Sequence, residues 1–180
     1  GASSGVGLMG LQIAKHLGAK LVIGTSTKPE KFVKLKSIGA DLVVNSKDKD
    51  WVDQVLQATN NEGVDLIIDQ LSGYTINENM RASKVKGTIV NVGRLAGGNT
   101  QFNCDLHALR RINYRGVTFR TRSINEIREV YSKMWSDLGD LVVKVILSLH
   151  IEKIFEFDDV SDALSCMRNN QHFGNLILKE

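Results

Sequence analysis

Gly1-Ala2-Ser3-Ser4-Gly5-Val6-Gly7-Leu8-Met9-Gly10 opens the chain, with glycines at positions 1, 5, 7 and 10. Apolar residues then recur on one helical face at Val6, Met9, Ile13 and Leu17, which predicts a helix. Gly18-Ala19-Lys20 is a helix stop, and Leu21-Val22-Ile23 reads as a short buried strand. Loop, helix, turn and strand at this length make the second half of a βαβ unit. Glycines let a backbone approach a phosphate closely, and the helix start presents free N–H groups at its positive dipole end. Ser3 and Ser4 add hydroxyl donors. A periodic helix and an apolar strand follow the loop, so the stretch points to a nucleotide site rather than to a bare turn.

The end of the second strand selects the nucleotide. In a site for NAD, an acid about 20 residues after the loop takes the ribose 2′-hydroxyl. Here the stretch reads Gly24-Thr25-Ser26-Thr27-Lys28-Pro29-Glu30-Lys31, with no acid before Glu30. Two lysines and three hydroxyls suit a 2′-phosphate, which a carboxylate would repel. The expected cofactor is therefore NADP(H).

The alternation continues along the chain. Helices are expected at 31–37, 50–59, 75–85 and 104–112, and strands at 41–45, 64–69, 87–92 and 116–121. A long helical region follows at 124–150, broken near Gly139. A strand at 151–157, a helix from Asp158 or Asp159 to about Arg168 and a strand at 174–179 close the chain. Alternating helices and apolar strands mean a parallel sheet covered on both faces. Ligands of such sheets sit at the carboxyl ends of the strands. That nominates Ser26, Ser46, Gln70, Leu71, Gly93, Arg94 and the segment Arg120 to Arg122.

Composition removes several classes. The 180 residues are 42% hydrophobic and 24% charged, an ordinary globular mixture. A net charge of +3, from 23 basic and 20 acidic residues, is too balanced to point to nucleic acid. No apolar run approaches a membrane span, and no leader pattern opens the chain, so a cytoplasmic protein is expected. Cys104 and Cys166 stand 62 positions apart, with no Cys or His at ligand spacing, so neither a disulfide scaffold nor a zinc site is expected.

Several segments together resemble the medium-chain dehydrogenase/reductase superfamily. They are Ala2-Ser3-Ser4-Gly5-Val6-Gly7, Gln12-Ile13-Ala14-Lys15, Leu17-Gly18-Ala19-Lys20, Ile38-Gly39-Ala40-Asp41 with Val44-Asn45, Gly63 to Asp69, Gly87 to Gly93 and Gly174-Asn175-Leu176-Ile177-Leu178. Within the superfamily, Thr118-Phe119-Arg120-Thr121-Arg122-Ser123 is similar to the zinc-independent NADPH:quinone oxidoreductases, the zeta-crystallin-like branch. The resemblance implies an α/β, Rossmann-like doubly wound parallel sheet that lacks its first strand. It also implies a division into a nucleotide-binding domain, 1–150, and a segment, 151–180, returning to a catalytic domain absent from this chain.

The resemblance also implies site roles. Ser4, Gly5 and Val6 would meet the pyrophosphate, with Ser3 and Gly7 in the same cofactor-binding loop. Lys31 falls where the branch has a lysine for the 2′-phosphate, with Ser26 beside it. Ser46 falls where many members carry an adenosine-contacting tyrosine, and Asn175 where many carry lysine. Gly93, Arg94, Phe119 and Arg120 would lie near the nicotinamide half, and Leu71, at a strand end, would also bind the cofactor. No catalytic side chain is assigned. The expected reaction is hydride transfer from NADPH to a quinone or another electrophilic carbonyl or alkene, with this chain inactive by itself. An enoyl-thioester reductase of the same superfamily is an alternative. The small-molecule electrophile would be met through the missing domain.

Two other readings are weaker. Short-chain dehydrogenases have a similar opening but need a Tyr with a Lys four residues on. Tyr74, Tyr114 and Tyr131 are followed there by Glu78, Thr118 and Trp135. Arg110, Arg111, Arg115, Arg120 and Arg122, with Tyr114 and Phe119, form a combination that holds single-stranded RNA in some proteins. Part of that run reads as a solvated helix face and part as cofactor cleft, so nucleic acid is not expected. The strand at 116–121 should be the sheet edge, and an exposed edge invites pairing into a homodimer.

Overall fold

A computed structural model describes residues 1–180. Every strand pairing is parallel, and strands alternate with helices in a Rossmann-like α/β arrangement. Two compact units are present: Gly1–Asn45 with Leu138–Glu180, and Ser46–Asp137.

The first unit opens with α1 (Gly5–His16), β1 (Ile23–Thr25), α2 (Phe32–Ile38) and β2 (Leu42–Val44). β1 and β2 pair in register from Ile23 with Leu42 to Thr25 with Val44. The chain returns to this unit with β6 (Ile151–Glu156), α7 (Val160–Arg168) and β7 (Asn175–Lys179), and β6 pairs with β7. Its core gathers Leu8, Leu11, Val22, Leu35, Ala40, Val43 and Phe173. Phe173 comes from the returning segment and is 2% exposed.

The buried face of α1 differs from the sequence expectation. Leu8, Leu11 and Gln12 point inward, whereas Val6 and Leu17 are exposed. The helix carries two apolar stripes, and packing against Val22, Leu35 and Val43 selects the one containing Leu8 and Leu11.

Asp41 explains part of the Gly39-Ala40-Asp41 pattern. Its carboxylate accepts from Val22 N at 2.7 Å and pairs with Lys15 on α1, so one side chain ties the helix to the starts of both strands. The bond from Lys15, then that from Val22, holds the Asp41 carboxyl below the usual range. A depressed pKa contributes stability above the ordinary carboxylate pKa that is lost as pH falls through the folded value. The stability gap between the native chain and Asp41→Asn is therefore expected to be largest near neutral pH and to shrink as pH falls below the ordinary carboxylate range, as read by urea unfolding. A gap independent of pH would contradict this.

The second unit contains α3 (Trp51–Ala58), β3 (Val64–Asp69), α4 (Ile76–Ala82), β4 (Ser83–Asn91), α5 (Cys104–Arg110) and β5 (Asn113–Gly116). Its sheet has the order β3-β4-β5. Met80, Ile89 and Ile112 form a core flanked by Ile67, Leu106 and Tyr114. Three expected boundaries change. The strand expected at 116–121 is instead β5, because Asn113 to Gly116 pair with Thr88 to Asn91. β4 begins at Ser83, so α4 is shorter than its periodicity suggested. The long helix α6 (Ile124–Val143) runs through Gly139 without a break.

Candidate nucleotide-binding site

The glycine-rich loop is built around Ser4. This residue caps α1 in extended conformation, and its hydroxyl accepts from Gly7 N at 3.1 Å while donating to Gly1 O at 2.9 Å. The cap leaves the first-turn N–H groups of Gly5 and Val6 without an acceptor in the chain. Such groups at a positive dipole end make an anion site. Ser4→Ala is expected to cost about 1 kcal/mol of stability, measurable by urea unfolding. No change in stability would show that the cap is dispensable.

The loop is anchored beside the end of β1. Ala2 N donates to Thr25 O at 3.0 Å, and the Gly1 amine reaches both Thr25 O and Thr25 Oγ1 at 3.2 Å. Gly7 is buried and packs on the loop itself: a Cβ there would lie 2.5 Å from Ala2 O and would also meet Gly1 O. A side chain has no room, which explains the glycine. From the other side, Gly174 N donates to Ser3 O at 2.8 Å, and Asn175 lies against Gly5.

Ser26, just past β1, is buried; its N–H donates to Val44 O at 3.1 Å, and its hydroxyl accepts from Lys28 N at 3.2 Å. Lys31 departs from the sequence expectation. Its ammonium, expected to face a 2′-phosphate, donates instead to Asn170 O, Asn170 Oδ1 and His172 O. Burial lowers its pKa from the usual lysine value. Lys28 and Lys34 are the more exposed neighbours, each in a loose pair with an acid, Glu30 at 3.9 Å and Glu152 at 3.6 Å.

In the second unit the predicted residues gather at strand ends. Leu71, Gly93 and Arg94 lie together: Gly93 N donates to Asp69 O at 3.1 Å, and Ala96 N to Leu71 O at 2.8 Å. Ser46, half-buried, follows β2 in sequence. Phe119 and Arg120 follow β5 and are exposed, with the Arg122 guanidinium 5.5 Å from the Phe119 ring centre.

A polar cluster at these strand ends escaped the sequence reading. Asp69 Oδ1 accepts from Leu71 N at 2.9 Å and Ser72 N at 3.0 Å, holding Ser72 at φ 53°. Asn91 Nδ2 donates to Tyr114 OH at 2.6 Å and to Ser72 Oγ. Asn91 Oδ1 is buried without a partner. Ser72, Asn91, Arg94 and Tyr114 line a cavity of about 350 Å³. The signal was available for Asp69 alone: an acid closing an apolar strand before Ser-Gly is a turn builder. Nothing local marks Asn91 or Tyr114.

A glycine-rich loop capped by Ser4 opens a parallel α/β fold, and comparison places that fold in a family. The chain belongs to the zinc-binding dehydrogenase family, whose sequence pattern matches residues 5–136. A highly reducing polyketide synthase of Eupenicillium brefeldianum is 28% identical over 98% of this chain, which spans 8% of that protein. The reducing polyketide synthase FUB1 of Gibberella fujikuroi is 25% identical over 98% of the chain and is spanned to 7%. Among solved structures, the Escherichia coli quinone oxidoreductase complexed with NADPH has a TM-score of 0.84 at 22% identity, covering 99% of this chain and 55% of its own. The CurF ER cyclopropanase of the curacin A pathway has a TM-score of 0.79 at 26% identity, covering 99% and 52%. The chain thus spans about half of these solved proteins and a small part of the synthases.

The zinc in the family's name finds no counterpart in the donors present. No group of three or more His, Cys, Asp or Glu is arranged to hold a metal ion, and Cys104 and Cys166 are both free. No helix is long and apolar enough to cross a membrane.

Proposed function

We propose that this chain is the cofactor-binding part of an NADPH-dependent oxidoreductase that delivers hydride to a quinone or another electrophilic carbonyl or alkene. The observation that carries the reading is the Ser4-capped start of α1, where Gly7 leaves no space for a side chain and two N–H groups face no acceptor. A pyrophosphate fits that chemistry. The bound nicotinamide would supply the hydride. The chain's own residues bind and orient: Ser3 to Gly7 the pyrophosphate, Ser26 with the neighbouring lysines the 2′-phosphate, Ser46 the adenosine edge, and Leu71, Gly93, Arg94, Phe119 and Arg120 the nicotinamide half. Dryness and electrophile placement would come from the rest of the protein.

A second reading, reduction of an enoyl thioester, is favoured by one observation. Reducing polyketide synthases match nearly the whole chain at 25–28% identity. One assay separates the two: NADPH oxidation by the intact protein with a 1,4-quinone against a 2-enoyl thioester. Turnover of the quinone alone supports the first reading, and turnover of the thioester alone the second. We also propose a homodimer through β5, the edge of its sheet. Light scattering that gives a monomer at high concentration would remove it.

A further inference from the structure

Lys31 has no proton left for a phosphate. Nζ donates to Asn170 O at 3.0 Å, to Asn170 Oδ1 at 2.9 Å and to His172 O at 2.7 Å. An ammonium has three donors, so its capacity is filled. The residue is 6% exposed, and all three acceptors lie in one turn. That turn needs holding: Asn170 sits at φ 52°, a left-handed conformation that costs most side chains energy and that asparagine tolerates better than most.

The turn leads directly to the glycine-rich loop. Two residues beyond His172, Gly174 N donates to Ser3 O at 2.8 Å, and Gly174 pairs with Ser4 in a parallel bridge. Gly174 itself is left-handed at φ 87° and lies against His150 O, so its placement tolerates little drift. Asn175 follows, against Gly5. A continuous set of contacts therefore runs from Lys31 through Asn170 and His172 to Gly174 and onto Ser3 and Ser4. Lys28 and Lys34 are built differently. Their side chains are 41% and 54% exposed, and their acidic partners at 3.9 and 3.6 Å leave donors available.

We propose that Lys31 is a positioning residue: it fixes the 170–174 turn against the glycine-rich loop and so supports the whole dinucleotide, while Lys28 and Lys34 discriminate for the 2′-phosphate. This rests on the cofactor reading given above. It assigns the lysine at the expected phosphate position to the loop rather than to the ligand.

The test uses the intact protein, with NADPH and NADH dissociation constants from calorimetry and amide hydrogen exchange without ligand. Lys31→Met is expected to weaken both cofactors by a similar factor, on the order of tenfold, leaving their ratio unchanged. It should also speed exchange at the Gly174 amide and at Ser4. Lys28→Ala and Lys34→Ala are expected to lower the preference for NADPH and to leave exchange unchanged. Asn170→Gly keeps the left-handed turn and removes one acceptor, so it should give a smaller change in the same direction as Lys31→Met, and it decides the question if Lys31→Met does not fold. Loss of NADPH affinity with NADH affinity intact in Lys31→Met would overturn the proposal. So would unchanged exchange at Gly174 and Ser4. If the native protein binds neither cofactor, the cofactor reading fails, and the exchange arm still decides whether Lys31 sets the loop.

Discussion

Gly7→Ala is expected to raise the NADPH dissociation constant on the order of a hundredfold while the protein stays folded. The reason is local and steric. The added Cβ would lie 2.5 Å from Ala2 O and 2.7 Å from Ala2 C, with Gly1 O also in the way. None of these atoms is the tip of a flexible side chain, so the loop backbone itself must move. Overpacking of this kind costs roughly 1–3 kcal/mol, a fraction of a domain's stability. The displaced backbone is the same one that aims the first-turn N–H groups at the pyrophosphate, so binding suffers more than folding. Gly10→Ala is the matched control. It lies in the same helix, where an added Cβ meets nothing within 4 Å. It should leave binding intact and gain about 0.5–1 kcal/mol from helix propensity. Calorimetry and circular dichroism on both variants check the pair. Equal affinities in Gly7→Ala and Gly10→Ala would show that the loop does not touch the cofactor.

Asp69→Ala is expected to cost about 3 kcal/mol of stability, since one buried N–H group and one half-buried one lose their acceptor at roughly 1–3 kcal/mol each. Asp69 is 4% exposed, and its Oδ1 receives both Leu71 N and Ser72 N. Those bonds hold Ser72 at φ 53° and ψ −143°, where a side chain is strained. Without them the 70–73 turn relaxes. Ser72 Oγ then leaves Asn91, and the cavity shared with Arg94 and Tyr114 loses its wall. Asp69→Asn keeps one acceptor oxygen and should cost markedly less. Urea unfolding of the three proteins checks this order. Equal losses in the two variants would mean that the carboxylate's charge, rather than its acceptor geometry, holds the turn.

The elements legible in the sequence are those that local features determine. The strand at Val64–Asp69 is a run of apolar residues bounded by Gly63 and a turn, and it forms as expected. The loop–helix–strand opening likewise needs only glycines, a capping serine and periodicity. Misreadings arose where a choice depends on distant partners. Val117-Thr118-Phe119 looks more strand-like than Asn113-Tyr114-Arg115, yet pairing with Thr88 to Val90 selects the latter. α1 offers two apolar stripes, and residues beyond the helix select between them. Lys31 is the sharpest case. Sequence places a positive charge near the expected phosphate, but the acceptors that turn it inward lie 139 and 141 residues away. The cluster of Asn91, Ser72 and Tyr114 likewise joins three segments with no shared motif.

A nicotinamide dinucleotide with a 2′-phosphate is expected to bind at the Ser4-capped start of α1. Calorimetric titration of the intact protein with NADPH and with NADH tests it most directly. One site is expected, tighter for NADPH, and weakened on the order of a hundredfold in Gly7→Ala. Absence of binding by either cofactor, or binding that Gly7→Ala leaves unchanged, would contradict it.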